Sequence, residues 1–423
     1  MSNSGAASRA RTASKRGWAV GLACCLGLQS CAGPDFQVPA PPAAAFTPER
    51  LPSKNTADGK TQRLQAGNEL PAEWWKLFRS SELNALIERA LRDNPTTEAA
   101  QAAMRVAQAN VYAAAGQLFP SATGEYSVNG GKVSNDVSSP LASGSSYYIL
   151  HTAQFTVSYV PDVWGGTRRQ IENLEAVKEN QRFMNEAAFL TLTSNIALGA
   201  IQEASLREQI RVTERLIKIA KEVLGKVRIK KEFGQVSGLD VAAQETFLAQ
   251  TEAALPPLRK ALAAQRDALT VLTGHLPGEG LSESFHFTNL RLPRKLPVSL
   301  PSELIAQRPD VRAAEANMHA ACALIGVSIA NRLPQFPLTG NVGRSGIRFQ
   351  NLFGNNPAFL FYTGLANASQ VLFDGFTLQQ KQRAAEAGFD QVAAQYRLTV
   401  LTAFQNVADA LYAIRHDTEL LEK

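Results

Sequence analysis

Two stretches of this chain repeat one pattern 214 residues apart. Asn94–Tyr112 reads NPTTEAAQAAMRVAQANVY and Arg308–Gly326 reads RPDVRAAEANMHAACALIG. At that offset Pro95 meets Pro309, Ala99 and Ala100 meet Ala313 and Ala314, Met104 meets Met318, Ala107 meets Ala321 and Pro120 meets Pro334. A duplicated segment constrains the fold more than composition does, because one structural unit has to be used twice.

The unit can be read outward from that segment. Asn94 before Pro95 suits a helix start, an N-cap followed by proline at the first helical position. Ala100, Met104, Ala107, Val111, Ala114 and Leu118 are spaced 4-3-4-3-4, a coiled-coil seam whose small residues admit a close neighbour. The second segment keeps that seam in Ala314, Met318, Ala321 and Ile325. Each helix then gives way to strand-like sequence. In AQFTVSYV, Phe155, Val157 and Tyr159 alternate with Thr156 and Ser158, the period of a strand with two unlike faces. Hairpins are expected over about 121–163 and 337–373, with tip loops at 129–146 and 343–357. Their lengths and aromatic ends suit transmembrane hairpins and a soluble sheet equally.

The longest helical run covers about Arg168–Lys230, roughly 95 Å at 1.5 Å per residue. Its seam is Leu206, Ile210, Thr213, Ile217, Ala220, Leu224 and Val227. A coiled-coil tube or stalk uses such a helix; a globular domain does not. It stops at EFGQVSGLDV, where Gly234 and Gly238 permit a turn and Ser237 with Asp240 matches a capping box. A return helix over about 239–273 carries Pro256-Pro257, which must kink or break it. The second unit has a helix over about 309–333 and another over about 376–423. Pairing Ile196-Ala197 with Val407-Ala408 gives an offset near 211, so Lys423 matches Val212, about 62 residues short of Gly274. On that reading the second repeat, 291–423, lacks the turn and return helix that the first, 73–290, contains.

The amino terminus reads as an export signal. Arg9, Arg11, Lys15 and Arg16 precede the short apolar run Trp18–Leu28, and residues 1–30 hold no acid. These four cations account for most of the formal charge of +6, which leaves no basic face for nucleic acid. LQSC, Leu28–Cys31, resembles the lipobox of bacterial lipoproteins, which is cut before the cysteine and acylated on it. Gln29 stands where a small residue is favoured, and Cys24 or Cys25 would leave a very short apolar run. With Cys31 acylated, Cys322 is the thiol left in the mature chain, expected as a small buried hydrophobe. Residues 31–72, with six prolines between Pro34 and Pro52, read as lipid anchor and extended linker. The body opens at EWWKLF, followed by a helix with Leu83, Leu86, Ile87, Ala90 and Leu91 on one face.

No catalytic set emerges. The five histidines, His151, His275, His286, His319 and His416, are scattered without metal-ligand spacing. The GKT at Gly59–Thr61 lacks the P-loop's first glycine, since Lys54 stands there. GRSG at Gly343 is not G-x-S-x-G. No enzyme activity, metal or cofactor is expected.

Taken together, Cys31 with GPDF, EWWKLF with the NP that follows, RPDVRAAE, FDG, and GQVSGLDV with ALPPL and LTVLTGHLP resemble the TolC-like outer-membrane efflux factors, in their lipoprotein branch. The likeness runs over nearly the whole chain from residue 31. It implies a mainly α fold with transmembrane β: a long coiled-coil α-helical barrel, plus four strands per protomer in a trimeric twelve-stranded β-barrel. It implies a passive exit duct for small solutes or drugs in RND-type tripartite pumps, anchored in the outer membrane through Cys31 and reaching into the periplasm. The partners it implies are two further copies of the chain, a periplasmic adaptor, an inner-membrane transporter and outer-membrane lipid. The turn at Gly234, Ser237, Gly238 and Asp240 would meet the adaptor, or serve only as a helix cap. The alternative is an anchored member, shortened at its carboxyl end, that does not form a properly gated channel.

Overall fold

The structure is a computed structural model. It describes residues 31–40, 54–57, 60–66, 71–132, 147–291, 295–298 and 307–421. The expected signal segment lies outside the described residues. The chain divides into two compact units: Met1–Pro39 with Val106–Asn180 and Ala314–Tyr396, and Ala40–Arg105 with Gln181–Ala313 and Arg397–Lys423.

In the second unit, helix α1 (Ser81–Asp93) begins where the Ser80 hydroxyl accepts from the Leu83 amide at 3.3 Å. Its residues Leu83, Leu86, Ile87 and Ala90 fall on one face and are buried against Trp75, Ile196, Ala197, Ala200, Leu269 and Phe285. Burying each large member contributes about 1.5–3 kcal/mol, which fixes this face inward. The same core holds one charged side chain, Glu203, fully buried. It is tolerated because Arg207 and Arg266 both donate to its Oε1, at 2.7 and 2.8 Å. Arg266 also donates to the carbonyls of Leu281 and Glu283, drawing that connecting strip onto the helices.

Helix α2 (Pro95–Ala115) starts at Asn94, whose Oδ1 accepts from the Thr96 amide at 2.7 Å. Helix α3 runs over Gly166–Glu232, 67 residues, slightly beyond the span expected from its pattern. Its seam is where the spacing put it. Leu206, Ala220 and Leu224 are buried, and Ile210, Thr213, Ile217 and Val227 are half-buried, while their neighbours over 211–230 are exposed. The return is two helices rather than one, α4 (Gly238–Ala253) and α5 (Leu255–Leu272). Pro256 and Pro257 carry no amide hydrogen for the preceding turn, so they sit in the first turn of a new helix. Ion pairs Arg228–Glu245, Lys221–Glu252 and Arg259–Glu214 join α3 to its return at 2.7–2.9 Å. All are exposed and set register more than stability.

The expectation of an extended linker over 31–72 is corrected here. Strands β1 (Lys54–Ala57) and β2 (Lys60–Ala66) form a hairpin, and β5 (Lys295–Val298) adds parallel to β2. The register pairs Ala57 with Lys60, so Asp58-Gly59 is the dipeptide between them. Asp-Gly is a strong two-residue hairpin signal, overlooked among the flanking prolines.

In the first unit, β3 (Ser121–Lys132) and β4 (Tyr147–Tyr159) pair antiparallel, as do β6 (Leu338–Gly346) and β7 (Leu360–Ala366). β4 also pairs with β6, giving the order β3-β4-β6-β7. β3 runs into the segment expected as tip loop and leaves 133–146 outside the described residues. Likewise β6 reaches Gly346, and a 3-10 turn at Phe349–Leu352 occupies the second expected loop. Helix α6 (Pro309–Ala330) precedes this second hairpin and α7 (Thr377–Leu421) follows it.

Candidate functional site

Three places carry the features expected of a membrane-anchored duct: the segment after Cys31, the two-faced sheet, and the turn between α3 and α4.

Residues 31–36 do not trail away from the body. The Ala32 amide donates to the Trp164 carbonyl at 2.9 Å. Cys31 lies against Gly165, where an added Cβ would come within 2.8 Å of Sγ, at a φ of +78 that already favours glycine. Gly33 and Gly326 touch backbone to backbone, since a Cβ on Gly33 would meet Gly326 Cα at 2.5 Å. The Phe36 ring stacks on His319 at 4.5 Å between centroids, and Cys322 Sγ lies 3.8 Å from the Pro34 carbonyl. Cys322 is buried, as its alanine-rich surroundings suggested.

Arg169, on the first turn of α3, holds this segment. Its side chain is 5% exposed. Nε donates to the Ala32 carbonyl at 3.1 Å, and Nη2 to the Gly33 carbonyl at 3.4 Å and to Asp35 Oδ1 at 2.6 Å. Nη1 donates to Glu172 Oε2 at 2.7 Å, and Glu172 Oε1 lies 2.9 Å from His319 Nε2. Burial alone would raise the Glu172 pKa, but hydrogen bonds from Arg169 and His319 outweigh it and hold the carboxyl below its usual range. Burial would lower the Arg169 pKa, and the bonds it donates to Asp35 and Glu172 reverse that and raise it. Burial pushes the Cys322 thiol up, with Glu172 adding to the shift. Asn173 Nδ2 donates to the Ala320 carbonyl at 2.8 Å and fastens α3 to α6 below the seat. A cavity of about 380 Å³ opens beside Trp164, lined by Gln117, Asp162, Gln170, Asn331 and Gln335. Asp162 is occupied in capping α3, accepting from the amides of Thr167 and Arg168.

Paired residues of an antiparallel sheet point to the same side, so the register sorts the faces. One face carries Tyr126, Val128, Ile149, Phe155, Val157, Leu338, Val342, Leu360 and Tyr362, all exposed. The opposite face carries Ser121, Thr123, Glu125, Thr152, Gln154, Thr156, Ser158, Thr339, Asn341 and Ser345, with Tyr148, Leu150, Phe361 and Leu365 among them. On it Gln154 Nε2 donates to Glu125 Oε2 at 3.0 Å, and Thr152 Oγ1 lies 3.1 Å from Ser345 Oγ. Among the described residues, the outer strands β3 and β7 each have one partner.

The turn belongs to the other unit. Gly234, at φ +71, ends α3: its amide donates to Lys231 and that of Gln235 to Lys230, both at 2.9 Å. That is a Schellman ending, which a left-handed glycine permits. Ser237 and Asp240 form a capping box, the Ser237 amide donating to Asp240 Oδ2 at 2.8 Å and the Asp240 amide to Ser237 Oγ at 3.3 Å. The Ser237 hydroxyl and amide hold the Asp240 carboxyl below its ordinary value. Gly238 is the first residue of α4. Phe233 and Leu239 flank the turn, 75% and 79% exposed. The sequence singled out Cys31 and the turn as candidates. It did not mark Arg169, Glu172, His319 and Gly326, whose only signals were a cation just after a Gly-Gly pair and a lone histidine on an alanine helix.

A family model described as outer membrane efflux protein matches residues 86–275 and 300–422. The pyoverdine export outer membrane protein OpmQ of Pseudomonas putida is 31% identical over 396 residues, spanning 92% of this chain and 80% of that protein. The solved structure of the outer-membrane channel OprN superposes with a TM-score of 0.76 at 26% identity, covering 90% of this chain and 82% of that one. The Campylobacter jejuni CmeC outer membrane channel gives a TM-score of 0.78 at 21% identity over 90% of this chain and 79% of that one, a likeness of fold.

Proposed function

The chain belongs to the outer membrane efflux protein family, and from that premise we infer how its parts make an exit duct in the outer membrane. The observation that carries the inference is the sheet. One face is largely apolar and exposed, the other mostly polar, and both outer strands lack a second partner among the described residues. Lipid forbids unpaired backbone at an edge, so a sheet of this kind spans a membrane only when its edges close on further copies. Three copies, each giving four strands, make a twelve-stranded barrel with the polar face inward. The two helix–hairpin–helix units are repeats of one design, so the closed tube has six of them.

The helices support the same assembly. Beside the seam that the return helix covers, α3 carries a second one, Val212, Leu216, Ile219 and Val223, spaced 4-3-4 and exposed. Heptad spacing left exposed by the described residues fits a neighbouring protomer. Cys31 is the acylated anchor, delivered by its seat to the helix-proximal end of the sheet, five residues beyond Tyr159. The turn at Gly234, Ser237, Gly238 and Asp240 is a rigid tip against which a periplasmic adaptor docks, linking the duct to an inner-membrane transporter that supplies the drive. Planar-bilayer conductance of the detergent-purified full chain tests the reading. Discrete channels from a trimeric species are expected, whereas a monomeric product without conductance refutes it.

A further inference from the structure

The apolar face of the sheet is not uniform along its length. Its helix-proximal end is marked by Ser121, Tyr159, Leu338 and Ala366, and its distal end by Lys132, Tyr147, Gly346 and Leu360. The register places Lys132, His151 and Arg344 on the same side as the apolar residues, all in the distal half and on the three adjacent strands β3, β4 and β6. Arg348 follows just beyond β6. Among the described residues of the four strands and the 347–359 connection, Glu125 is the only acid, and it lies on the opposite, polar face.

Depth can be read from the register. Lys132 pairs with Tyr147, twelve residues along β4 from Tyr159. At 3.3 Å per residue this is about 40 Å along the strand, or about 30 Å of height at a tilt near 40°. The apolar band of such barrels is about 25 Å tall, so Lys132 stands just past its distal border. Arg344, six residues from Leu338, starts within the band, and its long stem can carry the guanidinium towards the border. Its Nη2 donates to the Asn356 carbonyl at 2.8 Å, while Nε is buried without a hydrogen-bond partner. Aromatic rings frame these cations. Tyr126, His151, Phe349 and Phe353 form one cluster with centroids 5.1–6.3 Å apart, and Lys132 Nζ lies 5.3 Å from the Tyr147 ring centroid. Cations on a lipid-facing surface are costly unless something anionic meets them at headgroup depth.

We propose that the distal, outward-facing surface formed by Lys132, His151, Arg344 and Arg348 binds a lipid of the distal leaflet whose headgroup carries more than one phosphate. The inference rests on the barrel reading, which sets this face outward. Lys132 on β3 and Arg344 on β6 flank β4 and stand six register positions apart, about 20 Å along the strands, so with no acid among them they match separated phosphates better than a single one. The anchor at Cys31 engages the opposite leaflet, so the protein would grip both.

The test uses the full chain in detergent, with native mass spectrometry against diphosphoryl lipid A and, separately, phosphatidylglycerol. Lipid A is expected to bind more tightly than phosphatidylglycerol and to weaken with added salt. K132Q and R348Q, both at exposed positions, should each weaken it about fivefold, the ratio for one basic residue at an anionic lipid surface. R344Q should weaken it more. Equal lipid A binding by the parent and both exposed-site variants overturns the inference, and so does equal affinity for the two lipids. Conductance is recorded on the same preparations and should be unchanged in K132Q and R348Q. Normal channels with indifferent lipid binding refute this site alone; absence of channels refutes the barrel and this site with it.

Discussion

Replacing Arg169 by methionine keeps most of the stem and removes the guanidinium that grips residues 32–35. Four acceptors lose their donor: the carbonyls of Ala32 and Gly33, and the carboxylates of Asp35 and Glu172. Asp35 is 91% exposed, so water replaces most of its loss and it contributes under about 1 kcal/mol. Glu172 and the two carbonyls are more enclosed. Hydrogen bonds to a charged group are worth about 1.5–3 kcal/mol each, and removing one partner of a buried pair costs about 3–5 kcal/mol. The 3.4 Å bond to Gly33 is long and His319 still faces Glu172, so the low end, about 3 kcal/mol, is the expected cost. That cost falls on seating the segment rather than on the whole fold, because the neighbouring helices keep contacts such as Asn173 to Ala320. Cys322 reports it directly, buried 3.8 Å from the Pro34 carbonyl with burial also suppressing its thiolate. With Cys31 acylated it is the thiol that maleimide can reach once the segment lifts. A 3 kcal/mol weakening raises the open population, and so the labelling rate, by about two orders of magnitude. A rate for R169M within about threefold of the parent refutes Arg169 as the clamp.

Four further outcomes follow from the same geometry. G326A places a Cβ 2.5 Å from the Ala32 carbonyl oxygen and 2.8 Å from Arg169 Cγ, so it should unseat the segment at about 1–3 kcal/mol, read by the same labelling. Glu172 has a lowered folded pKa, so its stabilisation is present above the unfolded carboxylate value of about 4.3 and is lost as pH falls through the folded value. Thermal melts from pH 7 down to pH 3 should therefore show a smaller acid-induced decrease for E172Q than for the parent. S237A removes one half of the capping box and should speed tryptic cleavage after Lys231 at neutral pH, seen as faster nicking of an otherwise folded chain. L216E puts a charge into the exposed second seam and should shift native mass spectra from trimer to monomer and abolish conductance.

Much of this protein was legible in short windows of sequence. The α3 seam appeared as a 4-3 rhythm and is the covered stripe; Ser237 and Asp240 sat three residues apart and form the capping box; Pro256-Pro257 announced the helix break. These features depend on residues within a turn or two of one another, where spacing alone decides which side chains meet. The small hairpin of β1 and β2 was equally local, but its Asp-Gly signal was outweighed by surrounding prolines.

The seat of residues 31–36 was decided at another range. Arg169 reaches Ala32 across 137 positions, and Glu172 reaches His319 across 147. Gly33 and Gly326 have meaning only as a pair, because each is small where the other presses. The strand order that joins β4 to β6 likewise sorts all four strands into a largely apolar and a mostly polar face at once. Periodicity determined which elements form and which stripe each would bury. Only the tertiary structure decided what each stripe meets, since a contact between distant segments follows from how helices and strands pack, and no local spacing records it.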